Sequence, residues 1–123
     1  MTRPPAHGEK PLYWVGSSLK DLWDFPAEVR MSVGFALSAA QSGGKHPSAR
    51  TWKGEGPGVM EIVTNHDGDS FRAVYTIRFS EAVYVLHVFQ KKSPRGIATR
   101  RSDVALIRER LKVARRDYEE RHG

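Results

Sequence analysis

The stretch that decides the fold covers residues 59–90 and reads VMEIVTNHDGDSFRAVYTIRFSEAVYVLHVFQ. β-Branched and aromatic residues dominate it, which favours extended structure over helix. They fall into three segments, 59–65, 70–79 and 82–90. Asp67 and Gly68 between the first two segments are a strong hairpin signal, and Ser80 with Glu81 indicates a short turn before the third. The sequence therefore predicts an antiparallel meander of three strands.

The second segment alternates between two classes of side chain, and this alternation predicts its faces. One face is apolar and the other includes arginines: Phe71, Ala73, Tyr75, Ile77 and Phe79 on the first, Arg72, Val74, Thr76 and Arg78 on the second. Because successive residues of a strand point to opposite sides, we expect the first face to pack on helices and the second to be polar. In the third segment, two polar residues are predicted to share a face with three apolar ones: His87 and Lys91 with Val83, Val85 and Phe89.

A short strand and a helical hairpin are predicted ahead of the meander. The strand covers 11–15, where β-preferring residues cluster. Ser18 predicts the cap of a short helix, and Pro26 the first position of a second helix that Gly43 and Gly44 end. The second helix has apolar residues at helical spacing: Val29, Val33, Ala36, Leu37 and Ala40.

A loop and a final helix complete the pattern. Residues 45–58 are rich in Gly, Pro and polar side chains and predict a loop, with a short extended piece at 51–53. After the meander, a cap at Thr99 or Ser102 predicts the start of an amphipathic helix. Its apolar stripe recurs at intervals of three and four: Val104, Ile107, Leu111, Ala114 and Tyr118.

Length and composition indicate one folded domain. With 123 residues, of which 39% are hydrophobic, the chain can bury roughly two-thirds of its unfolded surface. We assign 1–10 to a flexible leader and 11–123 to a single α+β domain, in which the helical hairpin and the C-terminal helix pack on a twisted, mainly antiparallel sheet. The chain has no cysteine and no apolar run long enough to span a membrane, so we expect a cytoplasmic protein without disulfides or a membrane partner.

Three residues around the first hairpin superficially resemble metal ligands. His66, Asp67 and Asp69 are of ligand type, but the hairpin turn explains Asp67, and the other histidines are scattered. We therefore expect neither a metal nor a cofactor.

The positive charge is concentrated at the C-terminal end of the sequence. Residues 1–90 carry nine Lys or Arg and nine Asp or Glu, whereas 91–123 carry eleven and five, so the whole excess of +6 lies in the second part. Within it, 91–101 has five cations and no carboxylate: Lys91, Lys92, Arg95, Arg100 and Arg101. Such a cluster attracts polyanions, of which nucleic acid is the commonest.

Several side chains in the β region could support cleavage of RNA. The reaction needs a base for the 2′-hydroxyl proton, an acid for the leaving oxygen, and cations for the charge that develops on phosphate. The candidates are Lys53, Glu61, Arg72, Arg78, His87, Lys91 and Lys92.

Each candidate also has a purely structural interpretation. Glu61 and Arg72 on neighbouring strands can form a cross-strand ion pair, alone or in addition to a catalytic role. His87 inside an apolar strand can be a hydrogen-bonded core histidine. The pair Lys91 and Lys92 can be solvated charge at a strand end, although the arginines that follow favour phosphate contact.

The run from 59 to 111 resembles the RelE/HigB superfamily of toxins of type II toxin-antitoxin systems, and particularly its phage-derived HigB-like branch. The most characteristic elements are Glu61, the Phe71 and Arg72 pair, and the LHVFQKK end of the last strand; the helix start DFPAEVR fits the same branch. The resemblance implies an α+β fold and a metal-independent endoribonuclease that cuts messenger RNA in the ribosome. It also implies neutralisation by a cognate helix-turn-helix, HigA-like antitoxin.

The resemblance also implies residue roles. Arg72 matches the arginine that holds the scissile phosphate, and Lys91 with Lys92 matches the basic pair that ends the last strand. Glu61 stands where the better-studied RelE members have a lysine, and 93–97 lacks a counterpart of their tyrosine. The identities of acid and base therefore stay open, with His87 and Lys53 as further candidates. Contacts to RNA outside the reacting phosphate are assigned to Arg78, Arg95, Arg100 and Arg101.

A non-catalytic function is the alternative. The same fold would suit a ParE-like poison of DNA gyrase, and the basic cluster would suit a module that only binds RNA.

Overall fold

The computed structural model describes residues 8–91 and 100–122, and it has the predicted α+β class. In chain order its elements are β1 (Leu12–Trp14), α1 (Ser18–Trp23), α2 (Ala27–Gln41), β2 (Ala49–Thr51), β3 (Val59–His66), β4 (Asp69–Thr76), β5 (Val83–Lys91) and α3 (Arg101–His122). The assignment of 1–10 to a leader stays a prediction, but Lys10 is tied to the end of α2: its N–H donates to the Gln41 carbonyl and its carbonyl accepts from the Gln41 amide, both at 2.8 Å.

The five strands form one sheet in the order β1-β5-β4-β3-β2. β1 runs parallel to β5, and all other neighbours are antiparallel, so the predicted meander is confirmed as β3-β4-β5. The hairpin signal is confirmed as well. Asp67 and Gly68 both have positive φ, 50° and 82°, which is the backbone of a type I′ turn.

Helices cover both faces of the sheet. α1 and α2 pack on one face and α3 on the other, each over its own apolar cluster. The predicted polar face of the second strand is therefore wrong: Val74 and Thr76 are fully buried on the α3 side. The stripe of α3 supplies the cover, since Ile107 and Ala114 are also fully buried.

β4 is shorter than predicted because its hydrogen bonding changes at Thr76. The Thr76 hydroxyl donates to the Gly58 carbonyl and accepts from the Arg78 N–H, so the chain turns there. Ile77 is consequently 40% exposed, and Phe79 joins the α3-side core instead of the α2 side.

A β-bulge in β5 overturns the predicted grouping of its side chains. Val74 lies opposite His87 while Tyr75 lies opposite Val85, so Leu86 is an extra residue. The bulge places His87 on the α3 face, whereas Val85 stays with the α2 side.

Several predicted element boundaries shift. Ser18 is the first residue of α1, not its cap, and its hydroxyl donates to the Val85 carbonyl at 3.3 Å. Pro26 precedes α2 as its N-cap residue. Ser102 lies within α3, so it is not a cap, and Thr99 lies outside the described residues. The extended piece predicted at 51–53 is instead β2, because Ala49 and its neighbours pair with β3.

Candidate nucleic-acid interface

Three predicted site residues lie on the α3 face of the meander, one on each strand. Arg72 of β4 lies opposite Val63 of β3, one step along the face from Glu61, and Lys91 of β5 lies opposite Ser70, one step along the face from Arg72. Such diagonal neighbours are roughly 7–8 Å apart, within reach of long side chains. Strand pairing therefore places Arg72 diagonally beside both Glu61 and Lys91, although the three residues are separated along the chain.

Glu61 is a buried carboxylate that two arginines share. Its side chain is only 6% exposed, and its Oε1 accepts from Arg72 Nη1 at 3.0 Å. The same oxygen accepts from Arg50 Nε and Nη2, both at 2.6 Å. A carboxylate in this position needs charged partners, since an unpaired buried charge is strongly unfavourable. The ion pair of Glu61 with Arg72 that the sequence suggested is thus present, and a second arginine completes it.

The sequence interpretation missed Arg50. It lies on the three-residue strand β2, directly opposite Glu61 on β3. The signal that could have found it is weak: Arg50 and Trp52 alternate with Ala49 and Thr51, but the surrounding residues read as a loop. Only the pairing of β2 with β3 shows that Arg50 belongs to the site.

Arg72 is held at two points. Its Nη1 binds Glu61, and its Nε donates to the Ser70 hydroxyl at 3.1 Å. Its side chain is 11% exposed, so its guanidinium has little freedom to move. Lys91 is half-buried at the end of β5, where the basic segment begins.

His87 is a buried, hydrogen-bonded histidine. Its Nε2 lies 2.8 Å from Asp103 Oδ1 in the first turn of α3, and its ring stacks on Phe89 with centroids 4.9 Å apart. Its Nδ1 is buried and has no hydrogen-bond partner within 8–91 and 100–122. The contact joins β5 to α3, and its geometry fits a hydrogen-bonded core histidine.

Lys53 and Arg78 lie toward the other end of the sheet. Lys53 is exposed and follows Trp52, whose N–H donates to the Val59 carbonyl at the start of β3. The Arg78 guanidinium donates to the carbonyls of Pro57 and Glu55 and so holds the loop before β3. Arg72 is separated from this end of the sheet by the part of β4 that runs to Thr76. At about 3.3 Å per strand residue, this distance is more than ~10 Å.

Two further predicted RNA contacts, besides Arg78, can be placed. Arg100 and Arg101 are exposed at the start of α3, which the contact between His87 and Asp103 holds beside β5. Lys92 and Arg95 lie outside the described residues.

Two of the residues that resembled metal ligands, His66 and Asp67, contact each other. His66 lies 3.3 Å from both Glu28 and Asp67 carboxylate oxygens. Within the described ranges, no group of three or more His, Asp or Glu side chains is arranged to hold a metal.

Comparison with protein families supplies the context for this geometry. The model of the phage-derived Gp49-like proteins (DUF891) matches residues 20–112, about three quarters of the chain. The chain belongs to the Gp49-like family. This family is associated with toxin-antitoxin systems and related to the RelE-type toxins, which are ribonucleases, and it implies an antitoxin partner. Comparisons with curated proteins and with solved structures gave no significant match.

Membership in the Gp49-like family confirms part of the resemblance to the RelE/HigB superfamily. A RelE-related toxin family is confirmed, whereas the HigB-like branch stays a prediction. Among the described helices, none has the length and apolar character that crossing a bilayer requires.

Proposed function

We propose that this Gp49-like protein is the toxin of a type II system and a metal-independent endoribonuclease that cleaves messenger RNA on the translating ribosome. The observation that carries the proposal is the fixed position of Arg72, which is bound to Glu61 and lies diagonally beside Lys91, where the basic segment begins. Family membership supports the toxin context.

In the proposed reaction the 2′-oxygen attacks the adjacent phosphorus and the 5′-oxygen leaves. The products are a 2′,3′-cyclic phosphate and a 5′-hydroxyl; one proton leaves the attacking oxygen and one reaches the leaving oxygen. Negative charge builds up on the non-bridging oxygens, and Arg72 with Lys91 is positioned to stabilise it. Lys92 is assigned the same role from the resemblance.

The candidate acids and bases do not lie free beside Arg72. Glu61 is bound by two arginines, His87 is buried against α3, and Lys53 lies toward the other end of the sheet. The proposal therefore assigns most of the rate to electrostatic stabilisation and to alignment of the 2′-oxygen by the ribosome. We expect free RNA to be a poor substrate.

The proposed partners follow from the same reasoning. Arg100 and Arg101 extend the basic surface along the RNA, where they would contact phosphates without reading sequence. The antitoxin is proposed to be a HigA-like helix-turn-helix protein, and both would act in the cytoplasm.

A translation-dependent cleavage assay tests the proposal, with Arg72→Ala as the variant. Transcripts are mapped by primer extension during translation in the presence of wild type, Arg72→Ala and Arg116→Ala. Arg116 is the control because it is an exposed arginine about 22 Å along α3 from Arg101.

We expect new RNA ends with wild type and with the Arg116 variant, and a rate at least roughly 100-fold lower for Arg72→Ala, the usual cost of losing a group that stabilises the transition state. Equal cleavage by Arg72→Ala would remove Arg72 from the site. DNA breaks and SOS induction without new RNA ends would instead identify a gyrase poison.

A further inference from the structure

Arg50 combines a two-point contact to a buried carboxylate with an exposed side chain. It binds the buried Glu61 carboxylate through two of its nitrogens, yet 61% of its side chain is exposed. A guanidinium has five N–H groups, so most of its donors remain available after the contact with Glu61. Glu61 thus fixes the orientation of the Arg50 guanidinium, while the rest of that group is open to solvent.

Glu61 also brings Arg50 close to Arg72. Both arginines donate to the same oxygen, at 2.6 Å and 3.0 Å, so the two donor nitrogens are at most about 5.6 Å apart. Like charges at this separation repel each other, and a single carboxylate neutralises only one of them. The cluster of Arg50, Glu61 and Arg72 therefore has a formal charge of +1.

We propose that Arg50 is a second phosphate-binding residue, which grips the same phosphodiester as Arg72, and that Glu61 is a positioning residue that holds the two guanidinium groups together. A phosphodiester carries one negative charge, which matches the excess charge of the cluster. Its two non-bridging oxygens accept hydrogen bonds from paired guanidinium groups. This inference rests on the proposed function, because it takes RNA as the ligand.

A purely structural ion pair would behave differently. In that case Arg50 would contribute to stability through Glu61, and its loss would leave RNA affinity unchanged in folded protein. The RNA affinity of Arg50 variants, measured with and without Glu61, therefore discriminates between a structural ion pair and a phosphate-binding residue that Glu61 positions.

The test measures binding of a short single-stranded RNA with 2′-O-methyl groups, which prevent cleavage, by fluorescence anisotropy. We expect Arg50→Ala to raise the Kd about tenfold, as for loss of a charge-assisted hydrogen bond, and Arg116→Ala to leave it unchanged. Arg50→Lys keeps the charge but loses the two-point hold on Glu61, so we expect an intermediate, roughly threefold effect.

The role of Glu61 is tested in a double-mutant cycle. In a Glu61→Met background Arg50 has no carboxylate to orient it, so Arg50→Ala should then change the Kd threefold or less, where about tenfold is expected in wild type. If thermal unfolding shows that Glu61→Met does not fold, Glu61→Gln takes its place under the same criterion. An equal effect of Arg50→Ala in both backgrounds would overturn the positioning role.

The inference and the proposed function can fail separately. If wild type cleaves RNA during translation but Arg50→Ala binds the probe as tightly as wild type, the second phosphate contact is wrong and the ribonuclease assignment stands. If Arg50→Ala weakens binding as expected but wild type cleaves nothing, the phosphate site stands and the assignment is wrong.

Discussion

The carboxylates of Glu61 and Asp117 each accept hydrogen bonds from two residues, but the two resulting clusters differ in net charge. Glu61 accepts from Arg50 and Arg72, at 2.6 Å and 3.0 Å. Asp117 on α3 accepts from the Tyr84 hydroxyl at 2.6 Å and from Arg121 Nε at 2.7 Å. The first cluster has an excess charge of +1, whereas the second is neutral because tyrosine contributes no charge.

The two clusters also differ in which group is exposed. In the Asp117 cluster the carboxylate itself is 36% exposed, and the Arg121 guanidinium lies over the Tyr13 ring at 4.1 Å. In the Glu61 cluster the carboxylate is 6% exposed, and the exposed group is the Arg50 guanidinium. A charge-balanced cluster thus anchors a helix, whereas a cluster with an unbalanced, exposed cation has capacity to bind an anion.

The largest effect is expected at Glu61. Glu61→Ala leaves the Arg72 guanidinium, only 11% exposed, without its carboxylate and beside a second cation. We expect a loss of about 3 kcal/mol in the free energy of unfolding, as when one partner of a buried ion pair is removed. Urea denaturation measures it, with exposed Glu119→Ala as a control expected to change stability by no more than about 0.5 kcal/mol. A loss below about 1 kcal/mol for Glu61→Ala would show that water, not protein, balances this charge.

The contrast between the clusters was only partly predictable from sequence. The strands of the meander follow local alternation and a hairpin pair, Asp67 and Gly68, whose backbone preference is intrinsic. Glu61 and Arg72 lie on those strands, so their proximity could be predicted. Arg50 could not, because a three-residue strand has almost no local signal and is defined by its partner.

Long-range packing explains the other errors. Alternation in β4 marks one side as apolar, but it cannot show that the stripe of α3 will bury Val74 on the other side. In β5, one extra residue at Leu86 moves His87 to the α3 face, and the apolar residues on both sides of it contain no sign of that bulge. The Asp117 cluster depends on the same docking of α3.

A smaller effect is expected at the Asp117 cluster. Tyr84→Phe removes the hydroxyl that donates to Asp117 but keeps the ring, which is 1% exposed and packed in the core. We expect a loss of about 1–2 kcal/mol in stability, the usual value for a hydrogen bond to a charged group. Tyr13→Phe is the matched control, because its ring packs on the Tyr84 ring with centroids 5.1 Å apart while Asp117 accepts from Tyr84 and Arg121. Urea denaturation of both variants makes the comparison, and equal losses would mean that the hydroxyl of Tyr84 does not fasten α3.

The smallest effect is a pH dependence of stability at the Asp117 cluster. The hydrogen bond from Tyr84, followed by that from Arg121, holds the pKa of the Asp117 carboxyl below its ordinary value, and burial opposes this shift. A lowered folded-state pKa gives stability that is present above the unfolded pKa of about 3.9 and lost as pH falls through the folded value. Asp117→Asn has no such titration, so its stability deficit against wild type should be constant from about pH 5 to 7 and shrink below about pH 4. Because 36% of the Asp117 side chain is exposed, solvent screening should keep the change under about 1 kcal/mol. Urea denaturation at each pH measures the difference, and a deficit that persists unchanged in acid would show that the two hydrogen bonds do not favour the ionised carboxyl.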